Sequence, residues 1–171
     1  SSNKIIESTS KFLDQFTKIP VVIDPIIEAG GGGKFLKKQN INFSLEKLYP
    51  QATLLTPNLN ELKILSGCKT EKDSINSLLD LGIKNIFVTG KSRKNEVIST
   101  LFVNGIKELD VKAKKISKTF HGSGCALSTS ILCNFIKTKD LKESCLNANE
   151  YMRKILKNSI KTKNQDFINF S

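Results

Sequence analysis

The run His121-Gly122-Ser123-Gly124-Cys125 puts almost no side-chain bulk in front of an apolar-periodic segment, Ala126, Leu127, Ile131, Leu132, Phe135 and Ile136. The pattern predicts a glycine turn that opens a packed helix. The first N–H groups of a helix lack intrahelical partners and carry partial positive charge, so such a turn can seat an anion, typically a phosphate, on the backbone. Cys125 then lies at the rim of that anion hole, where a helix terminus favours the thiolate and equips a cysteine as base or nucleophile. The same glycines also suit a plain tight turn with close helix packing, and the motif alone does not separate the two readings.

Three other short runs carry polar groups at predicted strand ends: Asp24-Pro25, Thr56-Pro57-Asn58-Leu59-Asn60-Glu61 and Thr89-Gly90-Lys91. Each has a local explanation as a turn or cap. Asn58 followed by Glu61 three residues later has the form of a capping box. Taken together they gain weight, because ligands of open parallel sheets collect beyond the carboxyl ends of the strands.

The elements that would position these groups follow from periodicity. Ile5, Thr9, Phe12, Leu13 and Phe16 recur at helical spacing, and Pro20 ends that helix before the apolar run Val21–Ile23. Phe43, Leu45 and Leu48 precede Pro50 and a second buried strand, Thr53–Thr56. A short helix closes at Gly67, and another opens at Thr70 or Glu71 and stops at Gly82 before a strand over Asn85–Thr89. Three helix–strand units in succession predict a parallel sheet covered by helices. Residues 96–103 and 106–110 then read as a hairpin about Asn104-Gly105, followed by strand-like residues 111–117, two helices over about 123–138 and 140–157, and a polar tail, 161–171, that should fray.

Length and composition narrow the function. The 171 residues suit one domain with a real core. Cys68, Cys125, Cys133 and Cys145 form no CxxC pair, which argues against a zinc site or disulfide framework and for a reducing, cytoplasmic setting. No apolar run approaches a membrane span, and the start Ser1-Ser2-Asn3-Lys4 has no signal pattern. The net charge of +11 raises nucleic-acid binding, but Arg93 and Arg153 are the only arginines and the lysines are scattered. That distribution fits solvated helix faces and attraction of small anions, with neither nucleic acid nor membrane as partner.

In order along the chain, Val21-Val22-Ile23-Asp24-Pro25, Leu55 to Glu61, Val88-Thr89-Gly90-Lys91 and His121-Gly122-Ser123-Gly124-Cys125 resemble the motif blocks of the hydroxymethylpyrimidine/phosphomethylpyrimidine kinases of thiamine synthesis. That family is a branch of the ribokinase-like superfamily, whose sugar kinases usually carry aspartate in place of this cysteine. The resemblance implies an α/β chain with a three-layer α/β/α fold, a mostly parallel central sheet and a single domain over 1–171. It also implies ATP-dependent phosphorylation of hydroxymethylpyrimidine or its monophosphate, with Mg2+. Gly122, Ser123, Gly124 and Cys125 would form the anion hole, with Cys125 as base. Thr89, Gly90, Lys91 and His121 would line ATP. Asn58 and Glu61 would help hold Mg2+, partly through water, with Asp24 nearby.

Two departures stand out. The loop Glu28 to Lys34 is glycine-rich where the family has a more varied sequence, and the family's opening Ala-Gly-Ser-Asp segment has no counterpart here. The chain therefore resembles the C-terminal, nucleotide-side portion of such a kinase, expected to self-associate or to associate with the acceptor-binding portion. A pyridoxal kinase and a noncatalytic nucleotide-binding or partner-binding remnant are the competing expectations.

Overall fold

The computed structural model describes residues 2–27, 36–116, 120, 122–161 and 166–168. Helix α1 (Asn3–Leu13) runs into a short 3-10 turn before strand β1 (Val22–Ile23). Helix α2 (Lys38–Lys47) and a second 3-10 turn lead to β2 (Leu54–Leu55). Helices α3 (Leu59–Ser66) and α4 (Glu71–Asp80) precede β3 (Asn85–Arg93), β4 (Glu96–Val103) and β5 (Ile106–Lys114). Helices α5 (Ser123–Thr138) and α6 (Leu141–Lys157) follow, then the short strands β6 (Ile160–Lys161) and β7 (Asp166–Phe167).

The main sheet has the order β1-β2-β3-β4-β5. Strands β1, β2 and β3, joined through helices, are parallel, whereas β3, β4 and β5 are antiparallel. The helix-connected part thus has the parallel pairing expected, and tight turns give the rest of the sheet its mixed character. At the β4–β5 turn Asn104 and Gly105 both have positive φ, the conformation of a two-residue hairpin whose twist matches its strands.

Alternation along the strands builds two cores. Leu55, Ile86 and Val88 face Ile41, Leu45, Leu62, Leu65, Ile75 and Leu78 from α2, α3 and α4. Leu54, Phe87 and Leu101 face Ile131, Cys145 and Ala148 from α5 and α6. One residue of shift exchanges the faces, so Leu54-Leu55 and Ile86-Phe87-Val88 fix the sheet between two helical layers. This is the three-layer arrangement expected.

Two boundaries differ from the sequence expectation. β3 continues through Thr89–Lys91 to Arg93, because β4 gives it a pairing partner beyond the expected end. Residues 111–114 complete β5 instead of forming a separate strand. At the start of the tail Ile160 pairs with Phe167 and Lys161 with Asp166, while residues 162–165 and 169–171 lie outside the described residues.

Candidate active site

The carboxyl ends of the short parallel strands and the start of α5 meet around a cavity of about 320 Å3. Asp24 follows β1, Thr56 to Glu61 follow β2, Thr89 lies in β3, and Gly122 to Cys125 begin α5; all four segments contribute to the lining. The loops are tied to one another by backbone bonds. Thr56 N–H donates to Ile23 O at 2.9 Å and Thr89 N–H to Pro57 O at 2.9 Å, while Asn58 and Thr89 form an isolated parallel bridge.

Helix α5 enters this cavity without a side-chain cap. By contrast, α3, α4 and α6 have caps from Asn58, Thr70 and Asp140. Gly122 has φ +80°, a left-handed conformation that turns the chain into the helix with no Cβ penalty. A Cβ on Gly124 would stand 3.2 Å from Asp24 Oδ2, so the small residue lets the helix start approach the carboxylate. The first N–H groups of α5 thus open on the cavity, the placement that an anion hole at the glycine run would require.

Asn58 and Glu61 do make a capping box. Asn58 Oδ1 accepts from Asn60 N–H and Glu61 N–H at 2.9 Å each, and Glu61 Oε2 accepts from Asn58 N–H at 2.9 Å. Both residues also line the cavity. The cap reading and the site reading of this motif therefore hold together, but Asn58 Oδ1 is already occupied by two N–H groups. That disfavours direct metal ligation by this oxygen and leaves a contact through water.

The Asp24 carboxyl and the Cys125 thiol are neighbours, and each alters the other's affinity for a proton. Burial pushes the Asp24 carboxyl above its usual range, and the neighbouring Cys125 opposes that rise. Burial also pushes the Cys125 thiol up, reinforced by Asp24 and more weakly by Glu61. The expected thiolate stabilisation by the helix terminus is thus outweighed locally, because burial first, and then the carboxylate beside sulfur, disfavour a negative charge there.

A second slot of about 270 Å3 adjoins the first and shares Thr89, Phe120, Ser123, Gly124 and Leu127 with it. Its walls are largely apolar, from Val97, Ala113, Ile116, Met152 and Leu156, with Ser99 and Asn149 among the polar lining. Ser99 is only 5% exposed. Asn149 Nδ2 donates to Cys145 O at 2.8 Å, which leaves its carbonyl oxygen as the acceptor for a ligand. The sequence reading did not single out Ser99 or Asn149; strand alternation and the face of α6 were the signals that could have found them. A larger cavity of about 650 Å3 lies along α5 and α6 and touches this region at Gly122 and Cys125.

Of the residues expected at ATP, Thr89 lines both site cavities and Gly90 lines the second. Lys91 does not join them: its ammonium donates to Glu71 Oε1 at 3.0 Å and Thr100 Oγ1 at 2.5 Å. The carboxylate at the start of α4 and the buried hydroxyl on β4 hold it away from the start of α5. His121 and the loop Glu28 to Lys34 lie outside the described residues. Among the described residues no cluster of three or more His, Cys, Asp or Glu could hold a metal, and no helix is long and apolar enough to cross a membrane.

Comparison with known proteins gives a consistent picture. The family model described as phosphomethylpyrimidine kinase matches residues 1–168. A hydroxymethylpyrimidine/phosphomethylpyrimidine kinase of Aquifex aeolicus is 29% identical over 147 residues, 82% of this chain and 58% of the relative. A pyridoxine kinase of Bacillus subtilis is 29% identical over 164 residues, 91% of this chain and 60% of the relative. The structure of Bacillus subtilis pyridoxal kinase in an ADP complex superposes with a TM-score of 0.83 at 26% identity, covering 98% of this chain and 66% of that one. The chain thus spans less than two thirds of the length of these curated relatives.

Proposed function

Because the chain belongs to the phosphomethylpyrimidine kinase family, we propose that it carries the phosphoryl-transfer site of an ATP-dependent kinase of hydroxymethylpyrimidine or its monophosphate, in cytoplasmic thiamine biosynthesis. The observation that carries this reading is the uncapped start of α5 opening on a cavity that also holds Asp24, Asn58, Glu61 and Thr89. Phosphoryl transfer demands positioning and charge neutralisation more than covalent chemistry, and an N-terminal anion hole provides both. The backbone of Gly122 to Cys125 holds the transferring phosphate. The adjoining apolar slot takes the base, with Ser99 and Asn149 at its polar edge.

Cys125 and Asp24 sit together where the acceptor hydroxyl must lose its proton. With the thiol pushed up and the carboxyl also pushed up, the pair acts as one proton-holding unit. The acceptor oxygen attacks phosphorus, its proton passes to this pair, and the bond from phosphorus to the leaving phosphate oxygen breaks.

The oxygen donors present suit Mg2+, which favours one or two carboxylates together with phosphates and water. Glu61 would hold it, partly through water and with Asn58 acting through the α3 cap, while Asp24 stands nearby. When bound, the ion neutralises charge on the phosphate oxygens.

The pyridoxine kinase relative and the pyridoxal kinase structure favour a second reading in which the acceptor is a B6 vitamer. Calorimetric titration of ATP with and without Mg2+ tests the shared nucleotide site, and a flat response at millimolar ATP in a folded sample would remove it. Turnover with hydroxymethylpyrimidine against pyridoxal separates the acceptors, and nucleotide binding with neither acceptor turned over would leave a noncatalytic role. Association with a second copy, or with the length its relatives possess beyond the match, would cover the side of β1 that has no strand partner among the described residues; sedimentation measures the former.

A further inference from the structure

The geometry points to Lys91 as a positioning residue for the nucleotide's phosphates: with Glu71, Thr100 and Asp110 it forms a strut that fixes a bulge in β3 and so presents Thr89 and Gly90 to the site. This rests on the nucleotide-site reading above, and it gives Lys91 a role without contact.

The β3–β4 ladder pairs Val88 with Thr100 and resumes with Lys91 opposite Ile98. Thr89 and Gly90 therefore face Ser99 alone, two residues against one, which is the count of a β-bulge. In a regular strand residue 91 would share a face with Thr89. The extra residue returns Lys91 to the face of Val88 and Thr100, toward α4, while Thr89 stays with the cavities. Gly90, at φ +71°, supplies the backbone conformation the bulge needs.

A bulge gives up ladder bonds, so other groups must select it over a regular register. Thr89 N–H is held by Pro57 O, as described above. Lys91 Nζ is held by Glu71 Oε1 at 3.0 Å and by Thr100 Oγ1. Thr100, with no exposed surface, donates its own proton to Asp110 Oδ1 at 2.6 Å, and Lys107 Nζ donates to Asp110 Oδ2 at 2.9 Å. Hydrogen bonds from Thr100 and Lys107 keep the Asp110 carboxyl below its usual range, so it stays charged at the end of the chain. The Lys91 and Glu71 side chains are 20% and 29% exposed, a half-buried pair more firmly held than a surface one. Three strands and the first turn of α4 are thereby tied to the segment that lines both cavities.

Glu71→Gln separates a strut from direct contact by sign. If Lys91 reached the phosphates, releasing it from Glu71 would leave ATP affinity unchanged or raise it. A strut predicts the opposite: in the full chain, calorimetry should find ATP bound about 10-fold more weakly by Glu71→Gln and Lys91→Met, the size of loss usual for residues that support a site from behind. AMP, which lacks the outer phosphates, should bind as before, and Lys91→Arg should stay near the parent. Thr100→Val preserves shape and provides a second break in the chain should Lys91→Met fold poorly. Amide exchange at Thr89 and Gly90 should quicken in the folded variants. ATP affinity at or above the parent in Glu71→Gln, or equal losses for ATP and AMP, overturns the strut. If the parent binds no ATP, the nucleotide-site reading and the strut fall together, whereas ATP binding indifferent to all these variants removes the strut alone.

Discussion

The two halves of the sheet are built in opposite ways. β1 and β2 contribute two residues each and share two register pairs, yet the carboxyl ends of these strands carry Asp24 and Thr56 to Glu61. The hairpin strands β4 and β5 share eight register pairs and contribute mainly the walls of the adjoining slot. Ladder length and chemical content are thus separated. The site is positioned less by strand pairing than by the α3 capping box, the Thr89–Pro57 bond and the bulge in β3. Short strands leave backbone groups available to ligands at a sheet edge, and the long hairpin supplies the rigid wall against which they are set.

The most direct way to break this comparison is to empty the core on each side of it. Phe87, fully buried against α5 and α6, should cost about 3–5 kcal/mol when replaced by Ala. Leu55, in the opposite core, should cost about 2–5 kcal/mol on the same change. Urea unfolding should show one transition that moves in both variants. Two separated transitions would mean that the parallel part is held independently of the hairpin.

Glycine substitutions sharpen it further. Gly122 and Gly105 both have positive φ, so Val at either position should cost about 1–3 kcal/mol from backbone strain. At Gly105 a Cβ also meets Leu79 Cδ2 at 2.9 Å. Stability should fall in both variants, but ATP affinity should fall beyond that only for Gly122→Val, as read by calorimetry on the folded fraction. Asn58→Ala should be milder in stability, at about 1 kcal/mol for a lost cap, while still weakening ATP binding because the same residue lines the cavity. Unchanged ATP affinity there would reduce Asn58 to a cap alone.

Much of this was legible in the sequence. Pro20, Gly67 and Asn104-Gly105 mark ends that local backbone chemistry enforces, and the ordered strand-end runs converge as open α/β topology requires. The fate of Lys91 was not legible, since a bulge changes which face a residue takes and depends on Glu71, 20 positions away in sequence. The state of Cys125 was misread for a related reason. A helix terminus is a local signal, whereas the opposing carboxylate arrives from β1, about a hundred residues earlier in the sequence. Ser99 and Asn149 looked like ordinary strand and helix residues until the slot between them was formed.

The smallest expected effect is also the one that tests the chemistry of the site most closely. Asp24 has a folded-state pKa raised above its ordinary value, chiefly by burial, so its charged form is penalised on folding. A raised carboxyl contributes stability below its unfolded pKa, and that contribution is lost as pH rises through the folded value. Asp24→Asn should therefore make the chain slightly more stable at neutral pH, with the gap closing as the solution is acidified past that folded value; thermal melts across pH follow it. The same change removes the negative charge beside Cys125, so more thiolate should form at a given pH and alkylation at Cys125 should quicken. Cys145, buried and pushed up to about 12, should remain unreactive in both proteins and serves as the internal control for unfolding. ATP should slow alkylation of Cys125 by adding charge and covering the anion hole. A Cys125 rate indifferent to Asp24→Asn would mean that the two side chains do not share a proton, and the acceptor's proton would need another destination.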